Sequence, residues 1–270
     1  MAHAAGVLTA GDLNLPPDQL VFGITPKMRA LRNTLDKLAP TNIPVLIRGE
    51  RGTGKEIIAR MLHRKSPRRA APFVRVRCSE IQATSLEVAL FGHESGSVAG
   101  DGAGRPEILR QAAHGTLFFD EIGDLSRELQ AKLLRLLESG QFNIVDRREV
   151  DQCGVRLLCA SNRNLEGELK TGGFRPDLFY RINVVSIHVP PLRERTADIP
   201  MLVRYFLDRC AENLRSGMTS ISPARLRSFE VCSWPGNIRE LENLIQRYVI
   251  LGSESAIDDS LSKPIVETTE

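Results

Sequence analysis

The chain has 270 residues, 42% of them hydrophobic and 26% charged, with a formal net charge of +3. That length supports one sizeable core, or a large domain beside a small one, and the near balance of charge carries no electrostatic signature of nucleic-acid binding. Five cysteines (Cys78, Cys153, Cys159, Cys210 and Cys232) form no C-x-x-C pair and are odd in number, which argues against a disulfide framework or a zinc site and fits a reducing cytoplasm. No apolar run approaches the ~18 residues of a membrane span. The first residues lack the basic start and apolar block of a secretion signal.

Residues 1–19 read as a flexible lead-in. Residues 20–40 carry Met28, Leu31, Leu35 and Leu38 at helical spacing and stop at Pro40. IPVLIRGE then gives a short apolar strand from Val45 to Ile47 that ends in glycine, and KEIIARMLHRKS follows with helical period. FVRVRC and GTLFFDEI are two further strand patterns, the second apolar throughout and so expected to be buried on both faces. SRELQAKLLRLLESG predicts a helix with Ser126 as N-cap, a stripe of Leu129, Leu133, Leu136 and Leu137, and Gly140 at its end. VRLLCASN and NVVSIHV complete the strands. Strands alternating with helices argue for an α/β domain over 20–192, with a parallel sheet covered by helices on both faces. From 193 to 252 the pattern is helical only, and in NIRELENL Asn237 can cap with Glu240 three residues on. Residues 253–270 form a polar tail.

GERGTGKE carries the strongest chemistry. Gly49, Gly54 and Lys55 meet the spacing of a phosphate-binding loop between a strand and a helix, with Glu50, Arg51, Gly52 and Thr53 between them. Glycines let backbone N–H groups converge on phosphate oxygens, and Lys55 would meet the β- and γ-phosphates. Glu56 stands where most such loops place a hydroxyl for magnesium. The competing reading is a glycine-rich turn. In GTLFFDE, Asp120 and Glu121 end a strand. One carboxylate would hold Mg2+, directly or through water, and the other would polarise an attacking water. On its own such a pair is often a helix cap. Asn162, in CASNRN, follows a strand and could orient the water. Arg175 and Arg181 lie in FRPDLFYRIN. Arg239 lies in the first turn of a helix, where a cation opposes the dipole and an anion would relieve it; a solvated arginine is the plainer alternative.

In order, GERGTGKE, LFGHE, GTLFFDEI, CASNRNL, FRPDLFYRINVV, PPLRER and WPGNIRELEN resemble the AAA+ domain of bacterial enhancer-binding proteins, the sigma-54-dependent transcription activators, over roughly residues 20–252. The resemblance implies that Lys55 and its loop bind ATP and that Asp120 and Glu121 form the Walker B pair, with Glu121 activating water. It implies that Asn162 is the first sensor, that Arg175 and Arg181 are arginine fingers reaching a neighbour's nucleotide, and that Arg239 is the second sensor on a helical lid. Glu after the lysine is common in that family, so Glu56 fits. The implied assembly is a ring, a hexamer in the usual case, whose partner is RNA polymerase carrying sigma-54.

Departures from the family pattern fall in the centre. Where the family carries GAFTGA, the loop that contacts sigma-54, this chain has Gly96, Ser97, Val98, Ala99, Gly100 and Asp101. The aromatic residue and the threonine are both replaced, and an acid closes the motif. RPEILRQA stands where R-x-G-x-F-E-x-A is usual. Arg77 precedes Cys78 where the family tends to have asparagine, and an arginine there could clamp Glu121 or point to solvent. The 19 residues after Leu251 are too few and too polar for a helix-turn-helix, so no DNA-binding domain is expected in this chain. These features imply an ATPase whose sigma-54 contact is impaired or lost. The alternative is a nucleotide-binding regulatory module that hydrolyses weakly or not at all.

Overall fold

The computed structural model describes residues 5–8, 15–79, 107–138, 154–214 and 220–252. Its strands are β1 (Ala5–Leu8), β2 (Val45–Arg48), β3 (Phe73–Arg77), β4 (Thr116–Asp120), β5 (Arg156–Ser161) and β6 (Val185–His188). The helices are α1 (Asp18–Phe22), α2 (Pro26–Leu38), α3 (Lys55–Arg64), α4 (Glu107–Gln111), α5 (Arg127–Glu138), α6 (Leu165–Thr171), α7 (Pro176–Ile182), α8 (Ile199–Leu214), α9 (Pro223–Glu230) and α10 (Asn237–Leu251).

The sheet order is β1-β3-β4-β5-β2-β6. Every neighbouring pair from β3 to β6 is parallel, with Arg77 opposite Asp120, Phe119 opposite Cys159, and Ser161 opposite Arg48. The chain folds into two compact units. One comprises Met1–Leu15, Asn33–Arg48 and Lys55–His188, and the other Pro16–Arg32, Gly49–Gly54 and Val189–Glu270.

In the first unit, alternate strand residues face opposite ways, and both faces are dry. Val74, Val76, Leu117, Phe119, Leu157 and Cys159 pack with the leucine stripe of α5 and with Leu178 and Ile182 of α7. On the other face, His63 of α3 meets Phe73 edge-on at 5.5 Å, and Phe73 lies 5.8 Å from Phe118. Each fully buried leucine or phenylalanine contributes roughly 1.5–3 kcal/mol by leaving water. The expected N-cap is present, since Ser126 Oγ accepts from Leu129 N at 3.3 Å. Arg156, at the start of β5, is 1% exposed and donates to the carbonyls of Leu38 and Ala39, both at 2.9 Å, at the end of α2. Arg68 donates to the carbonyls of His114 and Gly154 and to Asn42.

The second unit is helical. Phe206 and Leu207 of α8, Phe229 of α9, Trp234, and Leu241, Ile245 and Tyr248 of α10 form its core. Trp234 Nε1 donates to Phe229 O at 2.7 Å, which satisfies the one polar group the indole takes inside.

Three sequence expectations need correction. Residues 5–8, assigned to a flexible lead-in, form β1, which pairs antiparallel with β3 (Leu8 opposite Phe73), so the sheet is mixed rather than wholly parallel. A four-residue strand is too short to announce itself by alternation. The helix expected over 20–40 is two helices, α1 and α2, broken at Gly23. That residue has φ 56°, and a Cβ there would lie 2.2 Å from Asp198 Cγ. Asp198 is 1% exposed and accepts from Ile24 N and Thr25 N, so tertiary contact overrides helical periodicity. Asn237 does not cap α10: Gly236 is the N-cap, and its N–H donates to Glu240 Oε2 at 2.8 Å.

Burial is the main cause that lowers the His63 pKa to about 4, with Arg156 and Arg68 adding to it against an opposing hydrogen bond to the backbone of Ala71. The fold therefore holds His63 neutral, while the unfolded chain protonates near 6.5. Stability from this group is complete above pH 6.5 and falls as pH drops from 6.5 towards 4. Between pH 7.5 and 5.5 urea unfolding should lose about 1 kcal/mol through this group. His63→Gln, which cannot titrate, should show a correspondingly smaller loss, and equal losses in both proteins would remove His63 as the cause.

Candidate nucleotide site

The phosphate loop occupies Gly49–Gly54 and belongs to the helical unit, whereas Lys55 opens α3 in the first unit. Gly52 has φ 79°, and a Cβ on it would sit 2.1 Å from Gly236 O, so this position requires glycine. Ile238 N donates to Gly52 O at 3.1 Å. Asn237, fully buried with φ 55°, gives its amide N–H to Glu50 Oε2 at 3.1 Å and Arg51 O at 3.0 Å, and accepts from Leu192 N at 2.8 Å. Arg193 grips Glu50 through both Nη atoms, at 2.8 and 2.5 Å, and that bond raises the arginine's pKa. Arg195, 3% exposed, donates to Thr53 O at 3.0 Å, and burial lowers its pKa to about 10. The loop shape is thus fixed by Asn237, Arg193 and Arg195 of its own unit. Arg239 stands exposed in the first turn of α10, with its Cβ 3.3 Å from the place a Cβ on Gly52 would take.

In the first unit, Lys55 is 5% exposed and its Nζ lies 3.0 Å from Glu121 Oε1. Glu121 follows β4 in a left-handed conformation, φ 57°, and its Oε2 accepts from Asn162 N at 2.8 Å. A non-glycine residue held there is costly and points to a site that over-determines it. Asn162 reaches Glu121 through its backbone, and its side chain is exposed. Asp120 Oδ2 accepts from Arg75 Nη2 at 2.5 Å, and Glu56 Oε2 pairs with Arg75 Nη1 at 2.7 Å. Arg60 holds the other oxygen of Glu56. Arg77 lies opposite Asp120 and is exposed, while the contacts just given for Glu121 come from Lys55 and Asn162. Burial is the first cause that raises the thiol pKa of Cys78 and of Cys159, so neither is a thiolate nucleophile.

Arg175 is the N-cap residue of α7 and forms a two-pronged pair with Asp177, at 3.0 and 2.6 Å, which raises its pKa and lowers that of the aspartate. Its backbone N–H donates at 2.9 Å to Gln130, a fully buried side chain that also donates to Leu125 O and Gly173 O. Arg181 is exposed in the last turn of α7 and donates to Leu137 O at 3.3 Å. The loop Gly96–Asp101 lies outside the described residues.

Among the described residues no three His, Cys, Asp or Glu side chains form a metal cage. Mg2+ needs none, because it usually keeps waters and binds one or two carboxylates with substrate phosphates. Asp120 fits that pattern, since its Oδ1 takes no hydrogen bond or ion pair from the described residues while Oδ2 is held by Arg75. No helix among the described residues is long and apolar enough to cross a membrane.

Sequence reasoning missed Arg75, Arg60, Arg193, Arg195 and Gln130, and gave Asn237 the wrong partner. Arg75 was within reach: it alternates with Arg77 on β3 and so shares its face. Arg60 stands four residues from Glu56, one turn along the same helix, while Arg193, Arg195 and Gln130 answer chiefly to partners far away in sequence.

Comparison with known proteins identifies the family. The sigma-54 interaction domain model matches residues 21–188, and an AAA+ ATPase lid domain model matches residues 193–269. The Nif-specific regulatory protein of Azotobacter vinelandii is 44% identical over 240 residues, covering 89% of this chain and 46% of that protein. The transcriptional regulatory protein ZraR of Klebsiella oxytoca is 45% identical over 231 residues, covering 86% and 52%. The chain thus spans about half the length of these relatives. Among solved structures, NtrX from Brucella abortus in complex with ADP superposes with a TM-score of 0.75 at 36% identity, covering 94% of this chain and 57% of that one. The same protein in complex with ATP gives 0.74 at 36% identity, covering 90% and 54%. The two family models together span most of the chain, which belongs to the sigma-54 interaction domain family of AAA+ proteins.

Proposed function

We propose that this chain is the ATP-hydrolysing motor of a transcription regulator and acts in the cytoplasm as a ring oligomer, a hexamer by the family's habit. The observation that carries the reading is Glu121, fixed at the end of β4 between Lys55 Nζ and Asn162 N, beside Asp120. ATP bound on the loop 49–54 would draw Lys55 to its β- and γ-phosphates. Glu121 Oε1 would then be released to take a proton from the attacking water. Water oxygen bonds to the γ-phosphorus, the bond to the bridging oxygen breaks, and ADP leaves with the electron pair on its β-phosphate. Bound Mg2+ would neutralise charge on the β- and γ-oxygens. Asp120 would orient the metal's water shell through Oδ1. Arg239 would contact the nucleotide from the lid, and Arg175 and Arg181 would complete a neighbour's site.

Lys55→Ala should weaken ATP binding more than about tenfold, since a hydrogen bond to a charged group contributes roughly 1.5–3 kcal/mol. Calorimetry showing equal affinity in the variant would end the phosphate-loop reading. Arg175→Ala and Arg181→Ala should bind ATP yet lose roughly 10³–10⁵ in turnover. Mixing either with Glu121→Gln should recover part of the rate, because one type of interface regains both parts. Unchanged turnover in both single variants would remove the contact in trans.

The sigma-54 contact is the finer question. Valine buries less area than an aromatic ring, alanine lacks the threonine hydroxyl, and Asp101 adds a negative charge. The expected result is no stable complex with purified sigma-54 in a native gel with an ATP transition-state analogue. Val98→Phe with Ala99→Thr should restore it only in part. A robust complex with the unchanged chain would show that this loop still makes the contact.

A further inference from the structure

Arg75, on β3, bridges two of the acidic side chains of the candidate nucleotide site, Glu56 and Asp120. Its side chain is 16% exposed, and its fork closes on Glu56 Oε2 at 2.7 Å and Asp120 Oδ2 at 2.5 Å. Its Nε is buried, with no hydrogen-bond partner among the described residues. The guanidinium is therefore committed to the two carboxylates. Arg60 occupies the other oxygen of Glu56. Lys55, Arg60 and Arg75 thus face Glu56, Asp120 and Glu121, and the three cations match the three acids.

A divalent cation approaching Asp120 meets a carboxylate already neutralised by a planar, permanently charged partner. Charge-assisted bonds of this kind are short and strong, and the paired side chains are largely buried. We propose that Arg75 is a positioning residue that sets the Mg2+ requirement of nucleotide binding, on the reading that this site takes ATP. It holds Asp120 through Oδ2 and so leaves Oδ1 for a metal, while its own positive charge would oppose the cation. Mg2+ therefore binds well only together with the phosphates, whose negative charge outweighs that of Arg75. Glu56 tethers the arginine and shares its charge, which gives the acidic residue after Lys55 a defined task.

Two charge changes of opposite sign test this. A fluorescent ATP analogue is titrated with Mg2+ in the unchanged chain, in Arg75→Gln and in Glu56→Gln, and again in EDTA. Arg75→Gln leaves the cluster one unit more negative, so the Mg2+ concentration at half-maximal binding should fall about fivefold. Binding in EDTA should weaken. Glu56→Gln leaves Arg75 to Asp120 alone, and half-maximal Mg2+ should rise by a similar factor. A brace that serves only the fold would lower the melting temperature of both variants and move neither midpoint. That outcome overturns the proposal, as does a shift of both midpoints in the same direction. If circular dichroism shows one variant unfolded, the other decides by the direction of its own shift. An unchanged chain that binds no analogue with or without Mg2+ would instead overturn the ATP reading.

Discussion

The parallel register from β3 to β6 is the constraint on which the site depends. Arg77 is opposite Asp120, and Ser161 is opposite Arg48. One residue further on, the chain reaches Glu121, Asn162 and Gly49. Ligands of open α/β sheets bind outside the carboxyl ends of the strands for this reason: the ladder lines up their last residues. A slip of one residue in β4 would turn Phe119 and Leu117 out of their core and carry Asp120 away from Arg75. The apolar strand interiors therefore fix the polar residues at their ends.

Within that edge, charge is balanced locally. Lys55 faces Glu121, and Arg75 spans Glu56 and Asp120. In the helical unit Arg193 faces Glu50. On the ATP reading proposed above, the Lys55 and Arg75 pairs are the ones that arriving phosphate and metal charge would disturb. An anionic ligand would have to exchange partners with these groups instead of filling an already polarised gap. The left-handed backbone of Glu121 fits the same picture, since Lys55 and Asn162 N hold its carboxylate from two sides.

Strands β2, β4 and β5 were legible because they are largely apolar and run into Gly49, Asp120 and Asn162. Local signals of that kind placed Lys55, Asp120, Glu121 and Asn162 at strand or helix ends, where the structure has them. What escaped was set by distance along the chain. β1 is only four residues long and owes its pairing to β3. Gly23 breaks a helical pattern because Asp198, far along the chain, fills the space. Asn237 carries a capping signature, yet it serves Glu50, Arg51 and Leu192. Arg77 drew notice for standing where asparagine is usual, while Arg75 reaches Asp120 because it sits where Glu56 lies within range. Spacing gives the face of a strand but not which long side chain finds a partner.

Arg156 has a consequence for the opposite end of the strands. Its charge is met by the carbonyls of Leu38 and Ala39, and among the described residues no carboxylate forms an ion pair with it. The charge of Arg68 is likewise taken up by the carbonyls of His114 and Gly154. A mobile ion atmosphere screens exposed pairs over about 8–10 Å but has little hold on a buried cation bound to peptide dipoles. The response to ionic strength should therefore differ from pair to pair. The exposed Arg193–Glu50 pair softens as salt is added, while the join between β5 and the end of α2 does not. Lysine at position 156 would keep the charge and lose the planar fork that meets both carbonyls at once. The demand there is for shape, and charge is only its accompaniment.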